Sequence, residues 1–429
     1  MKLYLVGIGG ISMSALAKFL HEQGASVYGS DLVENETVNS LRQAGIKVFI
    51  PQRKENIDKS IDEVVYTSAI TSNSPGDVEL QEARRLKIKT TKRAEKIGEL
   101  TKIYKTIAVS GTHGKSTTTA MVLQILLEAG LDPSALLGSD FELIKGNYRV
   151  GQSKYLVIEA DEFDRSFHNF QVDFGAILNL EADHLDYFKG GIEEIKEAFR
   201  KYIQENFKEH ACLIYNQEDK NLGEVVAEVK RADLKKETLP KIKLKLSIPG
   251  EHNQQNARAA FALAKKIGVA EKTIRAALSN FKGASRRFEF KGEKNGVKVI
   301  DDYAHHPTEV KATLSAAREM FNSKRIIAVF QPHQYSRTKF FSQEFSQSFN
   351  EADVVIIPPI YEVVGRDEKK EINNYGLARM IKKNKEIFAT NNFEETVGLL
   401  NKITRAGDVI IVMGAGPVTE ISNKFLNEK

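Results

Sequence analysis

The segment Thr106–Thr119 constrains the fold of this chain more than any other stretch. The apolar run Ile107-Ala108-Val109 leads into GTHGKST (111–117), and the apolar segment AMVLQILLEAG follows. A strand, a glycine-rich turn, a Lys-Ser pair and a helix form a cradle for phosphate, in which backbone N–H groups face the anion, the lysine reaches the β- and γ-phosphates and the hydroxyl binds Mg²⁺. The general pattern has its first glycine where this chain has Val109. The segment therefore predicts a phosphate loop of a particular sub-type.

Length and composition describe a globular chain of several domains. The 429 residues predict about two to four domains. The net charge of +5, with 28% charged residues of both signs, suits small anionic ligands and gives no indication of nucleic acid or membrane as a partner. No apolar run is long enough to span a bilayer, and Met1 opens directly into a predicted strand, so neither a membrane helix nor a signal peptide is expected. The single cysteine, Cys212, excludes a disulfide scaffold and indicates a cytoplasmic location.

The first 100 residues alternate between predicted strands and helices, which is typical of a parallel sheet with crossover helices. A strand near Lys2–Ile8 is followed by Gly7-x-Gly9-Gly10-Ile11-Ser12, and Asp31 closes the next strand. This is close to the dinucleotide fingerprint, with Ser12 in place of the third glycine. Such a turn predicts that the backbone closely approaches a pyrophosphate and that an acid lies near a ribose hydroxyl. Any nucleoside diphosphate could bind to such a site.

Two further strands end in acid-rich loops after the phosphate loop. The strand Tyr155–Glu159 runs into Ala160–Asp164, which includes Glu162, and the strand Phe174–Leu180 runs into a loop with His184. Carboxyl ends of parallel strands line the ligand crevice of an open α/β sheet, and Mg²⁺ prefers oxygen ligands. The acids of these two loops and His184 can therefore reach the Mg²⁺ of a bound nucleotide. The lysine-rich stretch Lys230–Lys245 predicts a solvated hairpin.

Three separate motifs resemble the signature blocks of one family, the Mur ligases, which are the ATP-dependent amide ligases that build the peptide of bacterial peptidoglycan. They are GTHGKST (111–117), EHNQQN (251–256) and DDYAHHP (301–307). The resemblance covers essentially the whole chain. Within the family, GIGGIS, NLEADHLDYF, RRF, DDYAHHPTEV and FQPHQYSRT look most like the members that add L-alanine.

The resemblance implies three α/β domains, each an open, mostly parallel sheet with flanking helices. These are a Rossmann-like UDP-sugar domain (1–102), a P-loop ATPase-like central domain (103–285) and a Rossmann-like amino-acid domain (286–429). It also implies the reaction: ATP phosphorylates the lactyl carboxylate of UDP-N-acetylmuramate, and the amine of L-alanine attacks the acyl phosphate. ATP and Mg²⁺ are the implied cofactors, and the expected oligomeric state is a monomer or a dimer.

Carried over residue by residue, the resemblance implies a site in several parts. Catalytic roles fall to Lys115, Glu159, His184 and Arg287, and metal binding falls to Ser116, Glu159 and His184. Glu162 is the competing acid in the same loop, ranked below Glu159 because Glu159 ends its strand. The implied ATP contacts are Gly111, Thr112, His113, Gly114, Lys115, Ser116, Thr117, Asn253, Asn256 and Asp302. The implied UDP-sugar contacts are Gly7, Gly9, Gly10, Ile11, Ser12, Asp31 and Ser68. The implied amino-acid contacts are Tyr303, His305, His306 and Arg337.

The chain departs from the family pattern at the acceptor pocket, and this leaves alternatives open. Gln334 stands where the alanine-adding members usually carry a second arginine, so the pocket loses a charge. The nearest alternative is the recycling ligase that attaches an intact tripeptide to the same UDP-sugar. Two alternatives come from other classes: an NAD-dependent dehydrogenase, suggested by GIGGIS and Asp31, and a P-loop ATPase acting as a switch.

Overall fold

The computed structural model describes residues 1–72, 74–362, 369–381 and 386–428. Contacts divide the chain into two compact units. The first unit contains Met1–Asp183, Tyr187–Lys245 and Gln255–Asn280, and the second contains His184–Asp186, Leu246–Gln254 and the chain from Phe281 onward.

The first sheet of the first unit is parallel throughout, with strand order β3-β2-β1-β4-β5. Its strands are β1 (Lys2–Val6), β2 (Ser26–Ser30), β3 (Lys47–Phe49), β4 (Glu63–Tyr66) and β5 (Lys89–Lys92), and its helices are α1 (Ile11–Glu22), α2 (Glu36–Gln43), α3 (Asp77–Arg85) and α4 (Arg93–Ile103). Val6 pairs with Ser30 on one side and with Tyr66 on the other. The carboxyl ends of β2, β1 and β4 therefore meet at one edge, which carries the predicted turn.

The second sheet of the first unit has the order β12-β11-β10-β6-β9-β7-β8 and is parallel except for the β7–β8 pair. Its strands are β6 (Lys105–Ser110), β7 (Ser134–Phe141), β8 (Gly146–Arg149), β9 (Tyr155–Glu159), β10 (Val172–Ile177), β11 (Phe207–Tyr215) and β12 (Lys235–Thr238). The helices are α5 (Lys115–Glu128), α6 (Gly191–Asn206), α7 (Lys220–Glu228), α8 (Glu251–Ile267, in the first unit from Gln255 on) and α9 (Glu271–Asn280).

Burial explains why β6 and α5 lie at the centre of this sheet. Ile107, Ala108 and Val109 are fully or almost fully buried, as a strand of a parallel sheet covered on both faces must be. Helix α5 is buried from Ser116 to Leu126. The phosphate loop is thus held between two elements that have little freedom to move.

The third sheet belongs to the second unit and has the order β13-β14-β18-β15-β16-β17, parallel except for the β13–β14 pair. Its strands are β13 (Glu289–Lys294), β14 (Val297–Asp302), β15 (Ile326–Phe330), β16 (Val354–Ile357), β17 (Glu386–Ala389) and β18 (Val409–Met413). Its helices are α10 (Pro307–Phe321), α11 (Tyr335–Phe340), α12 (Ser342–Ser348), α13 (Asn374–Met380), α14 (Phe393–Ile403) and α15 (Thr419–Asn427). Met413 pairs with both Asp302 and Phe330, so three strands end together.

The predicted fold class, three open α/β sheets with flanking helices, is confirmed. The exact domain boundaries after 102 and 285 stay predictions. The hairpin expected in Lys230–Lys245 is wrong, because β12 in this stretch pairs in parallel with β11 as an edge strand. Lysines on an edge strand discourage pairing with other chains, which explains the composition that suggested a hairpin. Among the described helices, none has the length and apolar composition to cross a bilayer.

Candidate active site

The phosphate loop connects β6 to α5 through two glycines with left-handed backbone, Gly111 (φ +124°) and Gly114 (φ +83°). A Cβ on Gly111 would lie 3.0 Å from the backbone nitrogens of Leu178 and Asn179. Asn179 also fixes the loop directly, since its Oδ1 accepts the His113 N–H at 2.7 Å and its carbonyl accepts the Thr112 N–H at 3.1 Å. The loop is therefore held open by hydrogen bonds to the segment that follows β10.

Lys115 opens α5 and lies against the acid loop. Its ammonium donates to the Gly111 carbonyl at 2.7 Å and to Oε2 of Glu162 at 2.8 Å. Glu162 is buried, with 2% of its surface exposed. Burial by itself lowers the pKa of Lys115, but the carboxylates of Glu162 and Asp161 outweigh it and raise the pKa overall. The ammonium is thus permanently charged and positioned at the mouth of the phosphate loop.

Ser116 and Glu159 face each other beside that lysine. The Ser116 hydroxyl donates to Oε2 of Glu159 at 3.1 Å, while Oε1 of Glu159 accepts the Gly138 N–H at 2.7 Å. A hydroxyl and a carboxylate at this separation are the hard oxygen donors that Mg²⁺ prefers, so these two residues fit the predicted metal. Glu159 and Glu162, the two acids that the sequence left as competing metal ligands, therefore have different partners. Glu159 contacts Ser116, and Glu162 contacts Lys115.

Other predicted nucleotide residues take defined positions. A Cβ on Gly114 would clash with Oδ1 of Asn256, so this amide lies directly against the loop. Asn253 belongs to the second unit, where its Nδ2 donates to the Pro249 carbonyl at 2.7 Å. His184, also in the second unit, has a left-handed backbone (φ 51°).

The turn after β1 is organised by Asp31. Its Oδ2 accepts the Gly9 N–H at 2.7 Å, and its Oδ1 accepts the Leu32 N–H at 2.7 Å. The Ser30 carbonyl accepts the N–H groups of Gly7 and Ile8. Gly9 has no room for a side chain, because a Cβ would lie 2.8 Å from Asp31 Oδ2. Gly10 caps α1, which begins at Ile11 and continues through Ser12, so the helix N-terminus faces the same edge.

The second unit brings Arg287, Asp302 and Tyr303 together at the end of β14. The guanidinium of Arg287 lies 4.9 Å from the centre of the Tyr303 ring. Asp302 accepts the backbone N–H groups of Phe288 and Ala304, each at 2.8 Å. Burial raises the pKa of Asp302 to about 6, although the charge of Arg287 opposes the rise. Asp302 thus fixes the backbone directly after Arg287 and directly after Tyr303, the two residues whose side chains are in contact.

The predicted amino-acid residues form a second cluster in this unit. The His305 ring lies 5.3 Å from that of Tyr303 and 5.9 Å from that of His333, measured between centroids. Nη1 of Arg337 lies 3.0 Å from Nδ1 of His333, and because arginine only donates, this histidine nitrogen accepts. His306 is buried, and its side chain caps α10. The structure therefore gives His306 a helix-capping contact in addition to its predicted role.

Two residues in these clusters were not predicted as site residues. They are Asn179, which holds the phosphate loop, and His333, which contacts Arg337. His252, whose pKa burial lowers to about 4 and which lies within the field of Arg287, was not predicted either. No local spacing rule identifies the pair of His333 and Arg337, because His333 lies before α11 in a β-bridge with Tyr361 and only Arg337 belongs to the helix. Gln334, the departure from the family pattern, is buried and has φ 66° with ψ 135°, a conformation that side chains disfavour.

Comparison with known proteins matches the whole chain. Three family descriptions match in order: Mur ligase family, catalytic domain (2–105), Mur ligase middle domain (109–241) and Mur ligase, glutamate ligase domain (286–416). The UDP-N-acetylmuramate–L-alanine ligase of Clostridium kluyveri is 41% identical over 454 residues, covering 100% of this chain and 98% of that protein.

Solved structures agree with this match. The UDP-N-acetylmuramate–alanine ligase MurC of Thermotoga maritima has a TM-score of 0.82 at 28% identity and covers 99% of this chain and 98% of its own. A murein peptide ligase of Psychrobacter arcticus shares the fold, with a TM-score of 0.71 at 24% identity and coverage of 99% and 98%. Because the chain is similar to these proteins over its full length and matches the three family descriptions in order, it belongs to the Mur ligase family.

Proposed function

We propose that this protein joins L-alanine to the lactyl carboxylate of UDP-N-acetylmuramate, with cleavage of ATP to ADP and phosphate. The observation that carries the proposal is the 41% identity, over the full length, to a relative named for that activity. The phosphate loop supports it, because its Lys115 and Ser116 match the Lys-Ser/Thr pair that binds nucleotide phosphate and Mg²⁺ in loops of this kind.

The chemistry requires a carboxylate oxygen to become part of a leaving group, since a carboxylate and an amine do not condense at neutral pH. In our proposal the lactyl carboxylate attacks the γ-phosphorus of ATP and forms an acyl phosphate. The amine of L-alanine then attacks the acyl carbon, and phosphate leaves with the former carboxylate oxygen. Both substrates are anionic, so positive charge must neutralise them as they approach.

The residues of this chain supply that charge. We assign Lys115 to the β- and γ-phosphates, Arg287 to the phosphoryl group in transfer, and Ser116 with Glu159 to Mg²⁺. When bound, Mg²⁺ offsets the negative charge of the phosphate oxygens. His184 stays a predicted second metal ligand. Arg337 suits the carboxylate of the amino acid, because a guanidinium binds a carboxylate through two parallel hydrogen bonds.

Other parts of the proposal concern the UDP-sugar and the cellular setting. We assign the turn Gly7–Ser12 to the diphosphate of the sugar nucleotide, since it leads into the N-terminus of α1, which begins at Ile11 at the carboxyl edge of the sheet. The same assignment explains the dinucleotide-like fingerprint by the diphosphate of the UDP-sugar, so the fingerprint does not require a dehydrogenase that binds NAD. The cytoplasmic location and a monomeric or dimeric state stay predictions.

An omission experiment tests the function. Purified protein is incubated with ATP, Mg²⁺ and UDP-N-acetylmuramate, and with L-alanine, glycine, L-serine or the murein tripeptide in turn, and ADP and the nucleotide product are quantified by mass. We expect ADP and UDP-N-acetylmuramoyl-L-alanine in equal amounts, and little ADP when either substrate is omitted. Turnover with the tripeptide in preference to alanine would support the recycling ligase instead, and full-rate ATP hydrolysis without either substrate would support a plain ATPase.

A further inference from the structure

The turn GAGP (414–417) joins β18 to α15 at the carboxyl edge of the third sheet, and the proposed function gives it no role. Its position is fixed, because the Gly414 N–H donates to the Asp302 carbonyl at 3.1 Å and a Cβ on Gly414 would lie 2.9 Å from the Gln331 carbonyl. The Gly414 carbonyl accepts a hydrogen bond from Nη2 of Arg286 at 2.5 Å. The turn therefore provides a fixed acceptor for this arginine.

Arg286 is also paired with a buried acid. Its Nε lies 3.4 Å from Oδ2 of Asp301, a residue of β14 that is 0% exposed. A buried carboxylate is costly unless a cation lies close to it, so this pair ties the guanidinium to the sheet. Asp301 and the Gly414 carbonyl thus hold the guanidinium through two of its nitrogens.

The guanidinium held in this way lies against the ring of Tyr303. The centre of this ring is 5.0 Å from Cζ of Arg286 and 4.9 Å from Cζ of Arg287, and the Tyr303 N–H donates to the Arg286 carbonyl at 2.7 Å. A cation at such a distance from an aromatic ring is attracted to it. The backbone and the side chain of Arg286 therefore both act on Tyr303, a predicted amino-acid contact.

The backbone around Arg286 is held in an unfavourable conformation. Arg286 has φ 56° and Phe288 has φ 54°, both in the left-handed region. Residues other than glycine enter this region at a cost, and they cluster where the geometry has a function. Consecutive side chains of a regular strand point to opposite faces, whereas here the guanidiniums of Arg286 and Arg287 reach the same ring. The strained backbone thus brings two cations to Tyr303.

We propose that Arg286 is a positioning residue of the amino-acid site: held by Asp301 and by the turn after β18, it fixes the Tyr303 ring where the acceptor amino acid binds. The inference rests on the proposed function and on the predicted contact of Tyr303 with L-alanine. Arg286 touches no substrate in this proposal and acts through the ring. Its loss should weaken the binding of L-alanine and leave the binding of ATP and of the UDP-sugar unchanged.

The main test variant is Arg286→Lys. Lysine keeps a positive charge beside Asp301, but it lacks the planar guanidinium that contacts the acid, the Gly414 carbonyl and the ring at once. Asp301→Asn is the second test variant, because it removes the ion pair and leaves Arg286 unchanged. Both variants should raise KM for L-alanine.

Arg325→Lys is the matched control. Arg325 lies 3.3 Å from Asp408, which is 3% exposed, and donates to the Ile403 carbonyl at 3.0 Å. Its side chain is 19% exposed, against 23% for Arg286. It precedes β15 and lies at the opposite edge of the same sheet. The same substitution is thus made beside a buried acid and a carbonyl, away from Tyr303.

A double-mutant cycle tests whether Arg286 acts through the ring. Arg286→Lys is also made in a protein that carries Tyr303→Leu, and in one that carries Tyr303→Phe. If the arginine positions the ring, its replacement raises KM for L-alanine with phenylalanine at position 303 and has no further effect with leucine there. A purely structural role would lower stability in every background without this dependence on the ring.

Initial rates of ADP release are measured with each substrate varied in turn, and stability is measured by urea unfolding. We expect Arg286→Lys to raise KM for L-alanine about three- to tenfold, with KM for ATP and for UDP-N-acetylmuramate unchanged. We expect Arg325→Lys to change none of the three. An unchanged KM for L-alanine in both test variants, a similar rise in Arg325→Lys, or an equal rise in the Tyr303→Leu background would overturn the inference. Unchanged protein that releases no ADP in response to L-alanine would instead overturn the proposed function.

Discussion

Replacing Gly114 by alanine tests how the phosphate loop is built. Gly114 has φ +83°, and a Cβ at this position would clash with Oδ1 of Asn256 and lie 3.1 Å from Cδ1 of Leu178. The change therefore acts in two ways. It forces an L side chain into left-handed backbone, and it pushes a methyl group into the amide of Asn256, an implied ATP contact.

The two effects have different magnitudes. Left-handed backbone costs alanine about 1–2 kcal/mol relative to glycine. Forcing a methyl group into a filled space costs about 1–3 kcal/mol more. Only the second effect displaces a predicted nucleotide contact, Asn256. If Asn256 must return to its place for ATP to bind, the same amount, about 1–3 kcal/mol, is lost from binding, and ATP affinity falls roughly 5- to 150-fold.

Gly130→Ala is the control that isolates the first effect. Gly130 has φ +70°, and among the described residues nothing lies within 4 Å of the Cβ position. Urea unfolding and titration with a fluorescent ATP analogue are carried out on both variants. We expect Gly130→Ala to lose about 1–2 kcal/mol of stability and to bind the analogue normally, whereas Gly114→Ala loses binding as well. Equal analogue affinity in the two variants would refute the reasoning.

Three further predictions concern the second unit. Burial lowers the pKa of His252 to about 4 and raises that of Asp302 to about 6, so between about pH 4 and 6 the contribution of His252 to stability rises with pH and that of Asp302 falls. Relative to the unchanged protein, the free energy of unfolding in urea should therefore rise less with pH in His252→Asn and rise more in Asp302→Asn, and profiles parallel to that of the unchanged protein would contradict both shifts. Arg337→Lys should raise KM for L-alanine about tenfold, by loss of a bidentate contact, with KM for ATP unchanged, whereas the exposed Arg379→Lys should change neither. Gln334→Gly should stabilise the protein by about 1 kcal/mol, measured by urea unfolding, since glycine accepts its φ of 66°; destabilisation would mean that the buried side chain contributes more than the strain costs.

The architecture could be predicted because its signals are local. The strand, turn and helix at 105–128 follow from apolar runs, two glycines and a Lys-Ser pair, all within one short segment. The β7–β8 hairpin was missed, because β7 contains the polar stretch Gly138–Asp140 and β8 is only four residues long, so neither strand shows apolar alternation along its whole length. A local pattern thus identifies an element when the element is buried, and fails where it is half exposed.

The pairing of site residues is harder to predict because it joins distant parts of the chain. Glu162 meets Lys115 across 47 positions and Ser68 meets Asp164 across 96. Strand-end position favoured Glu159 over Glu162, but it could not show that each acid has its own partner. The left-handed backbone at Asp164 and Gln334 also carries no sequence signal, since neither residue is glycine. Such strain is set by tertiary contacts.

The central claim is that the lactyl carboxylate becomes an acyl phosphate before the amide forms. UDP-N-acetylmuramate labelled with ¹⁸O in its lactyl carboxylate is turned over with ATP and L-alanine in unlabelled water, and the released phosphate is analysed by mass. Our account predicts one ¹⁸O atom in each phosphate, because the attacking carboxylate oxygen leaves with the phosphoryl group. Phosphate without label would show that water attacks ATP, and it would contradict the account.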